Sequence, residues 1–213
     1  KTLSGYVNAI VARVYEHSFV EELAKHATVP VINGLTDFNH PCQIMADIFT
    51  IIEKKEKLKN LKIAYIGDGN NIVHSWLELG IVTPLNFTII CPDGFLPNKE
   101  LVMKAKKISN IEISHNPDEA IKHSDIVYTD VWASMGQKEE TEKRQIVFKD
   151  FQVNKRLMSL AGRQALFMHC LPAERGVEVT SEVCDAKYSI IFDQAENRMH
   201  AQNAIMLMIC KKD

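Results

Sequence analysis

The chain has 213 residues, room for one large domain or two small ones, and its 46% hydrophobic and 24% charged residues are ordinary for a globular protein. A net charge of -2 leaves no electrostatic footprint for nucleic acid or an anionic membrane. No apolar run approaches the roughly 20 residues of a membrane span. The five cysteines (Cys42, Cys91, Cys170, Cys184 and Cys210) are odd in number, scattered and free of C-x-x-C pairs, which points away from a disulfide framework or a zinc site and toward a reducing compartment.

The chain opens on Lys1 with no signal-like stretch after it. Residues 1–6 read as the tail of a helix, so the sequence is expected to begin inside a fold. Residues 9–12 form an apolar run that reads as a buried strand. A helix is expected over 18–27, with Ser18 as N-cap and Glu21 completing a capping box. A short strand follows at 29–33. Residues 41–56 carry Ile44, Met45, Ile48, Phe49 and Ile52 at helical spacing, the pattern of a long helix. The charged stretch 54–59 reads as a linker.

Residues 61–66 are a second buried strand, ending in Gly67-Asp68-Gly69-Asn70-Asn71, with a helix after it through Leu79. Strands at 87–91, 111–114, 126–129, 165–168 and 189–192, a helix at 99–108 and a last helix at 196–210 complete the pattern. Alternating strands and helices predict an α/β fold with mainly parallel sheets.

Strand, Gly67-x-Gly69, helix, strand and then Asp93 imitates a dinucleotide fingerprint, which makes a nicotinamide-dependent dehydrogenase a rival. The third glycine position is Ile72, however, and Asn70 and Asn71 crowd the place where a pyrophosphate needs bare backbone. Asp93, between Pro92 and Gly94, reads equally as a turn residue. The same turn can use its backbone N–H groups and Asn71 to hold a carboxylate, or Asn70 can simply cap the helix.

Four segments carry chemistry. In Asn39-His40-Pro41-Cys42-Gln43, proline favours the first helical position, so His40 is the expected N-cap and Gln43 lies in the first turn. The positive helix end disfavours imidazolium there. A neutral His40 and Gln43 could then polarise a carbonyl, each such donor contributing about 3 kcal/mol in a transition state. Asp130 lies just past a strand, where open α/β sheets bind ligands, and the loop Trp132-Ala133-Ser134-Met135-Gly136 after it could be a lid. Cys170, in His169-Cys170-Leu171-Pro172, ends another strand. It reads either as a thiolate beside His169 or as an inert buried thiol, since neighbours on a strand face opposite ways. Arg198, in Glu196-Asn197-Arg198, is expected at the start of the final helix as a cation for an oxyanion, or in a surface salt bridge.

In this order, the segments resemble the ornithine carbamoyltransferases over essentially the whole chain. His40-Pro41-x-Gln43-x-x-Ala46-Asp47 resembles the carbamoyl-phosphate helix, 67–71 the ornithine-domain turn and Asp130-x-Trp132-x-Ser134-Met135-Gly136 the ornithine loop. The Ser-Met-Gly and His-Cys-Leu-Pro segments discriminate most, because the aspartate-using relatives share the His-Pro-x-Gln helix but lack both. The resemblance implies two parallel-sheet α/β domains, the first incomplete, joined by interdomain helices: the remainder of a carbamoyl-phosphate domain over 1–58, an ornithine domain over 59–193 and a helix over 194–213 crossing back. It implies transfer of the carbamoyl group of carbamoyl phosphate to the δ-amine of L-ornithine, giving citrulline and phosphate with no metal or organic cofactor, in a homotrimer of the full-length protein. Arg13, His40, Gln43, Arg198 and the backbone carbonyl of Leu171 are implied at the carbamoyl group. Asn71, Asp130, Ser134 and Met135 are implied at the α-amino and α-carboxylate groups, with Cys170 and Asp130 facing the δ-amine.

The family's Ser-Thr-Arg-Thr phosphate grip is absent from these 213 residues. A fragment with little activity alone is therefore the expectation. A cytoplasmic or organellar location, in mitochondrion or plastid, is expected rather than secretion. The rivals within reach are a carbamoyltransferase for another amine such as putrescine, against which the Ser-Met-Gly loop argues, and a non-catalytic module that binds ornithine or associates with intact subunits.

Overall fold

The computed structural model describes residues 1–133 and 138–210. In chain order the elements are β1 (Ile10–Arg13), α1 (His17–His26), β2 (Val31–Leu35), α2 (Pro41–Lys55), β3 (Lys62–Ile66), α3 (Asn71–Val82), β4 (Asn86–Ile90), α4 (Lys99–Ala105), β5 (Asn110–Ser114), α5 (Pro117–Ala120), β6 (Ile126–Thr129), α6 (Lys138–Phe148), α7 (Lys155–Ala161), β7 (Leu166–His169), α8 (Ser181–Cys184) and α9 (Ile191–Ile209). Short 3-10 turns add Leu3–Gly5 and Lys149–Phe151.

Both sheets among the described residues are wholly parallel, as the strand–helix alternation predicts. One pairs β1 with β2, and the other has the order β5-β4-β3-β6-β7. Continuous apolar strands suit a sheet covered on both faces. Ile63, Tyr65, Phe87 and Tyr128 pack on one side with Trp76 and Leu77 of α3, and Ala64, Ile66, Val127 and Phe167 on the other with Leu157 and Val183. The strand order reverses direction between β3 and β6. In an open α/β sheet such a reversal leaves a crevice beyond the strand ends, and both Gly67–Asn71 and Asp130 lie there.

Several expectations are corrected. The first helix begins at His17, its N-cap is Glu16, whose side chain makes no capping bond, and Asp37 Oδ1 instead accepts from His17 N at 3.1 Å. Ser18 lies inside the first turn, so the capping box does not form. Residues 189–192 are not a strand. Tyr188 and Ile190 exchange backbone hydrogen bonds with Phe167, giving a single bridge at Ser189, and the chain turns into α9 at Ile191. Arg198 is consequently mid-helix rather than at a helix start.

Helix α2 buries polar residues along with apolar ones. Met45, Phe49 and Ile52 are exposed by 50%, 39% and 45%, while Gln43, Asp47 and Thr50 are buried with Ile44 and Ile51. The polar residues are inside because α9 supplies partners for them. Asn197 donates to Thr50 Oγ1 at 3.1 Å and to Glu53 at 2.6 Å, and Lys54 bonds Asp193 at 2.6 Å. No helix of the described residues is long and apolar enough to cross a membrane.

Candidate active site

The carboxyl end of β3 begins the site. Gly67 has φ +149°, a conformation that side chains rarely adopt. Gly69 sits against the backbone of residues 95–97, and a Cβ there would come within 2.3 Å of Pro97 N. That close approach, and not a bound pyrophosphate, accounts for the second glycine of the false fingerprint. Asp93 is a turn residue with an exposed side chain, and its backbone neighbours close the turn through Phe95 N–H to Pro92 O at 3.2 Å.

Asn70 is the N-cap of α3, its Oδ1 accepting from Ile72 N at 3.0 Å and Val73 N at 3.4 Å. Its Nδ2 donates to Asp130 Oδ2 at 2.9 Å. One residue therefore both starts α3 and aims Asp130. Asn71 turns away from this turn and donates from Nδ2 to Thr36 O at 3.0 Å. Asp130 takes two further bonds on Oδ1, from its neighbour Val131 N at 2.8 Å and from Cys170 Sγ at 3.0 Å. Burial and the adjacent Asp130 push the Cys170 thiol well above its usual range. The thiol is held protonated as a donor, so the thiolate alternative is not what this environment favours.

His169 faces the other way, as strand alternation requires. Leu171 N–H donates to His169 Nδ1 at 2.9 Å, which leaves the proton on Nε2, directed at Glu178 Oε1 at 3.1 Å. Leu171 itself has φ +58°. Asp130, His169 and Cys170 each bring a ligand-type atom within 4.8 Å of the others. With both ring nitrogens of His169 engaged and the thiol donating to Asp130, the trio is a hydrogen-bonded cluster rather than an open ligand set.

The second half of the site is the start of α2. His40 is its N-cap, 4% exposed, with Pro41 at the first helical position. Its pKa is lowered to about 3, first by burial and then by the Arg198 and Arg13 guanidiniums. The neutral imidazole expected from the helix field is found, but loss of solvent and two cations are its main causes. Nδ1 of His40 is buried and without a partner among the described residues. Arg13, at the exposed end of β1, and Arg198 thus converge electrostatically on His40.

Gln43 is more committed than its spacing suggested. Its oxygen accepts from Arg198 Nη1, and its Nε2 donates to Asp47 Oδ1 at 2.8 Å. An amide nitrogen carries two hydrogens, so one remains for a carbonyl. In the orientation its surroundings require, the Gln202 amide oxygen accepts from Arg198 Nη2 at 2.8 Å and Nε at 2.6 Å. Two amides thereby fix the planar fork of Arg198.

Sequence reasoning assigned no role to Asp47, which joins the two halves. It is fully buried and accepts from Gln43, from Gln194 Nε2 at 2.7 Å and from Tyr128 Oη at 2.9 Å. Gln194 Oε1 in turn accepts from His169 N at 2.9 Å. Burial raises the Asp47 carboxyl to about 6, against the pull of its three donors. The available signal was its position four residues after Gln43, on the same helical face. Asp68 was also passed over: it pairs with Arg144 Nη1, which at 2.8 Å also donates to Trp132 O. Ser134 and Met135, expected at the α-amino acid end of the substrate, lie outside the described residues, as does Gly136.

Comparison with known proteins adds to this geometry. A family model described as the Asp/Orn binding domain of aspartate/ornithine carbamoyltransferase matches residues 59–209, and one described as the carbamoyl-P binding domain matches residues 1–53. The chain is 60% identical over its whole length to a chloroplastic ornithine carbamoyltransferase of Pisum sativum, of which it spans 57%. It is 50% identical over 98% of its length to an ornithine carbamoyltransferase of Thermococcus kodakarensis, of which it spans 68%. The structure of ornithine carbamoyltransferase from Pyrococcus furiosus superposes with a TM-score of 0.92 at 49% identity, over 98% of this chain and 68% of that one.

Proposed function

Because the chain belongs to the aspartate/ornithine carbamoyltransferase family, we propose that it forms the greater part of an ornithine carbamoyltransferase. Carbamoyl phosphate and L-ornithine are the substrates, and citrulline and phosphate the products. The observation that carries this reading is the bonding of two differently equipped half-sites to one another. The cationic, carbonyl-polarising end of α2 connects through Gln43, Asp47 and Gln194 to His169, next to Cys170 and Asp130.

At the first half-site, neutral His40, the remaining amide hydrogen of Gln43 and the guanidiniums of Arg13 and Arg198 take the carbamoyl group, with the Leu171 carbonyl accepting from its NH2. Such donors act on charge that develops on the carbonyl oxygen as the amine adds. At the second, Asp130 attracts the ornithine ammonium groups beside the Cys170 thiol. Ser134 and Met135 take the α-amino and α-carboxylate groups, together with the second amide hydrogen of Asn71, whose Nδ2 also donates to Thr36 O. The δ-amine forms the new C–N bond, the C–O bond to phosphate breaks with phosphate leaving, and the amine gives up a proton.

A lysine-like amine with a pKa of about 10.4 is neutral in only roughly 1 in 2,500 molecules at pH 7, a cost of about 4.6 kcal/mol if unshifted. Desolvation beside the protonated Cys170 thiol lowers that cost, and the Asp130 carboxylate, which favours the ammonium form, opposes it. In domain terms, residues 1–58 serve carbamoyl phosphate, 59–193 serve ornithine, and 194–213 return to the first part. A homotrimer is the assembly proposed for the full-length protein, in a cytoplasmic or organellar matrix.

Isothermal titration tests the assignment. The chain is expected to bind L-ornithine in preference to putrescine, and Asp130→Asn to abolish that preference. Preferential binding of putrescine overturns the choice of amine, and binding of neither amine with carbamoyl phosphate present overturns the half-site.

A further inference from the structure

We propose that Ser75 and Glu78, on the face of α3 turned toward β2 and α2, are positioning residues that hold His40 at the carbamoyl group. This inference rests on the carbamoyl-phosphate reading above.

Residues 36–40 carry the chain from β2 into α2. Thr36 folds them into a tight turn: its N–H donates to Asn39 O at 2.9 Å, and its Oγ1 accepts from Phe38 N at 3.3 Å and Asn39 N at 3.2 Å. That shapes the turn but does not place it. Placement comes from α3, where residues 71, 74, 75 and 78 share one helical face by their spacing. Asn71 Nδ2 donates to Thr36 O at 3.0 Å, and His74 Nδ1 meets Phe38 O at 2.9 Å. Ser75 Oγ accepts the His40 N–H at 2.7 Å, and both Glu78 oxygens accept from Asn39 Nδ2, at 3.0 and 2.9 Å. The Phe38 ring is set between His17 and His74, with centroids 5.2 and 5.1 Å away.

His74 is itself held. Its Nε2 accepts from Asn98 N at 3.1 Å, so Nδ1 carries the proton given to Phe38 O. Ser75 is likewise oriented, donating to Asn71 O at 2.8 Å and so presenting a lone pair to His40. The His40 ring has no such support, because its buried Nδ1 lacks a partner among the described residues. What fixes its direction is its backbone, and the His40 N–H is anchored on Ser75. The four contacts tie the helix of the ornithine half to the segment that delivers the carbamoyl histidine. Neither Ser75 nor Glu78 is among the residues assigned to a substrate.

The test is made on the 15N-labelled chain. Ser75→Ala removes the acceptor of the His40 N–H, and Glu78→Leu removes both acceptors of Asn39, whereas Glu78→Gln keeps one. Amide exchange at His40 is expected to speed about tenfold in Ser75→Ala, the worth of one buried hydrogen bond, with β6 amides unchanged. Titration with carbamoyl phosphate is expected to weaken several-fold in Ser75→Ala and Glu78→Leu, to recover in Glu78→Gln, and to leave ornithine affinity as it was. Equal loss for both ligands, or loss of neither, overturns the positioning role, as does unchanged exchange at His40. If the unaltered chain, which lacks the Ser-Thr-Arg-Thr segment, fails to bind carbamoyl phosphate, exchange at His40 alone decides the positioning role, and an unchanged rate overturns it.

Discussion

Asp47 offers the sharpest test of how the two half-sites are joined. Its carboxylate is fully buried and accepts from Gln43 Nε2 and Gln194 Nε2 on one oxygen and from Tyr128 Oη on the other. Asp47→Ala takes the acceptor from all three donors at once. A buried donor left alone costs about 1–3 kcal/mol. Gln194 Nε2 keeps the Tyr128 oxygen at 3.2 Å, but the Gln43 amide hydrogen and the Tyr128 hydroxyl hydrogen lose their acceptor, and two orphaned donors set the loss at about 2–6 kcal/mol.

Asp47→Asn behaves differently. Burial holds the carboxyl at about 6 in the fold against its ordinary 3.8, so ionising it opposes folding by roughly 3 kcal/mol above pH 6. Asparagine avoids that cost, but its NH2 meets the Tyr128 hydroxyl, which must turn to accept, at about 1–3 kcal/mol. The two effects offset, and Asp47→Asn is expected within about 2 kcal/mol of the parent at pH 8. For an acid whose folded pKa is raised, the folded state holds more protons between pH 3.8 and about 6, so the parent loses stability relative to the asparagine variant as pH rises through that window. Urea unfolding followed by tryptophan fluorescence at pH 5 and pH 8 measures both comparisons. If Asp47→Asn loses as much as Asp47→Ala, or if the alanine variant is as stable as the parent, Asp47 is not the acceptor that joins the halves.

Three further outcomes follow from named contacts. His40 has a folded pKa of about 3, so the unfolded chain takes up a proton near pH 6.5 that the fold refuses, and its stability contribution falls by roughly 2 kcal/mol between pH 6.5 and pH 5. Urea midpoints of the parent and His40→Gln should converge over that range, with the opposite effect of Asp47 cancelling in the comparison, and parallel curves contradict the assignment. Cys170, protonated against Asp130, is expected to alkylate far more slowly than a free thiol at pH 8, and Asp130→Asn to speed it about tenfold or more; mass spectrometry of the iodoacetamide adduct decides. Gly69→Ala places a methyl 2.3 Å from Pro97 N and should cost about 3 kcal/mol, seen as a lowered Tm, whereas an unchanged Tm means that the 95–97 backbone yields freely.

The larger elements were legible where a local pattern coincides with the tertiary environment. The central strands are apolar because both faces of the sheet are covered, and the 126–129 strand was read with its observed bounds. Pro41 and His40 set the start of α2 by local sterics, which no packing overrides. The short helices α5, α7 and α8 have four to seven residues, too few to establish a helical period. The last helix was read five residues late because residues 188–190 are apolar enough for a strand, yet β7 engages them only through Phe167. In α2 the apolar spacing marks the helix and places Ile44 and Ile48 at the core, but it does not reveal that Asp47 and Thr50 lie inside, because their hydrogen-bond partners come from α9, nearly 150 residues away. The site was legible as residue types, and the bonds among them were not. Asp47, Ser75 and Glu78 are ordinary helix residues until the fold brings their partners to them.

The polar seam between α2, β6 and α9 also bears on how this protein can change. Gln43, Asp47, Tyr128 and Gln194 share donors and acceptors, so a replacement at one alters what the others can tolerate. Residues within such a network show interaction energies of about 0.5–3 kcal/mol rather than additive effects. A substitution harmful in this background can therefore become neutral once its neighbour has changed, and the order in which replacements arrive matters. Sequence drift at this seam should proceed by coupled pairs, while exposed Met45, Phe49 and Ile52 on the same helix stand outside that coupling.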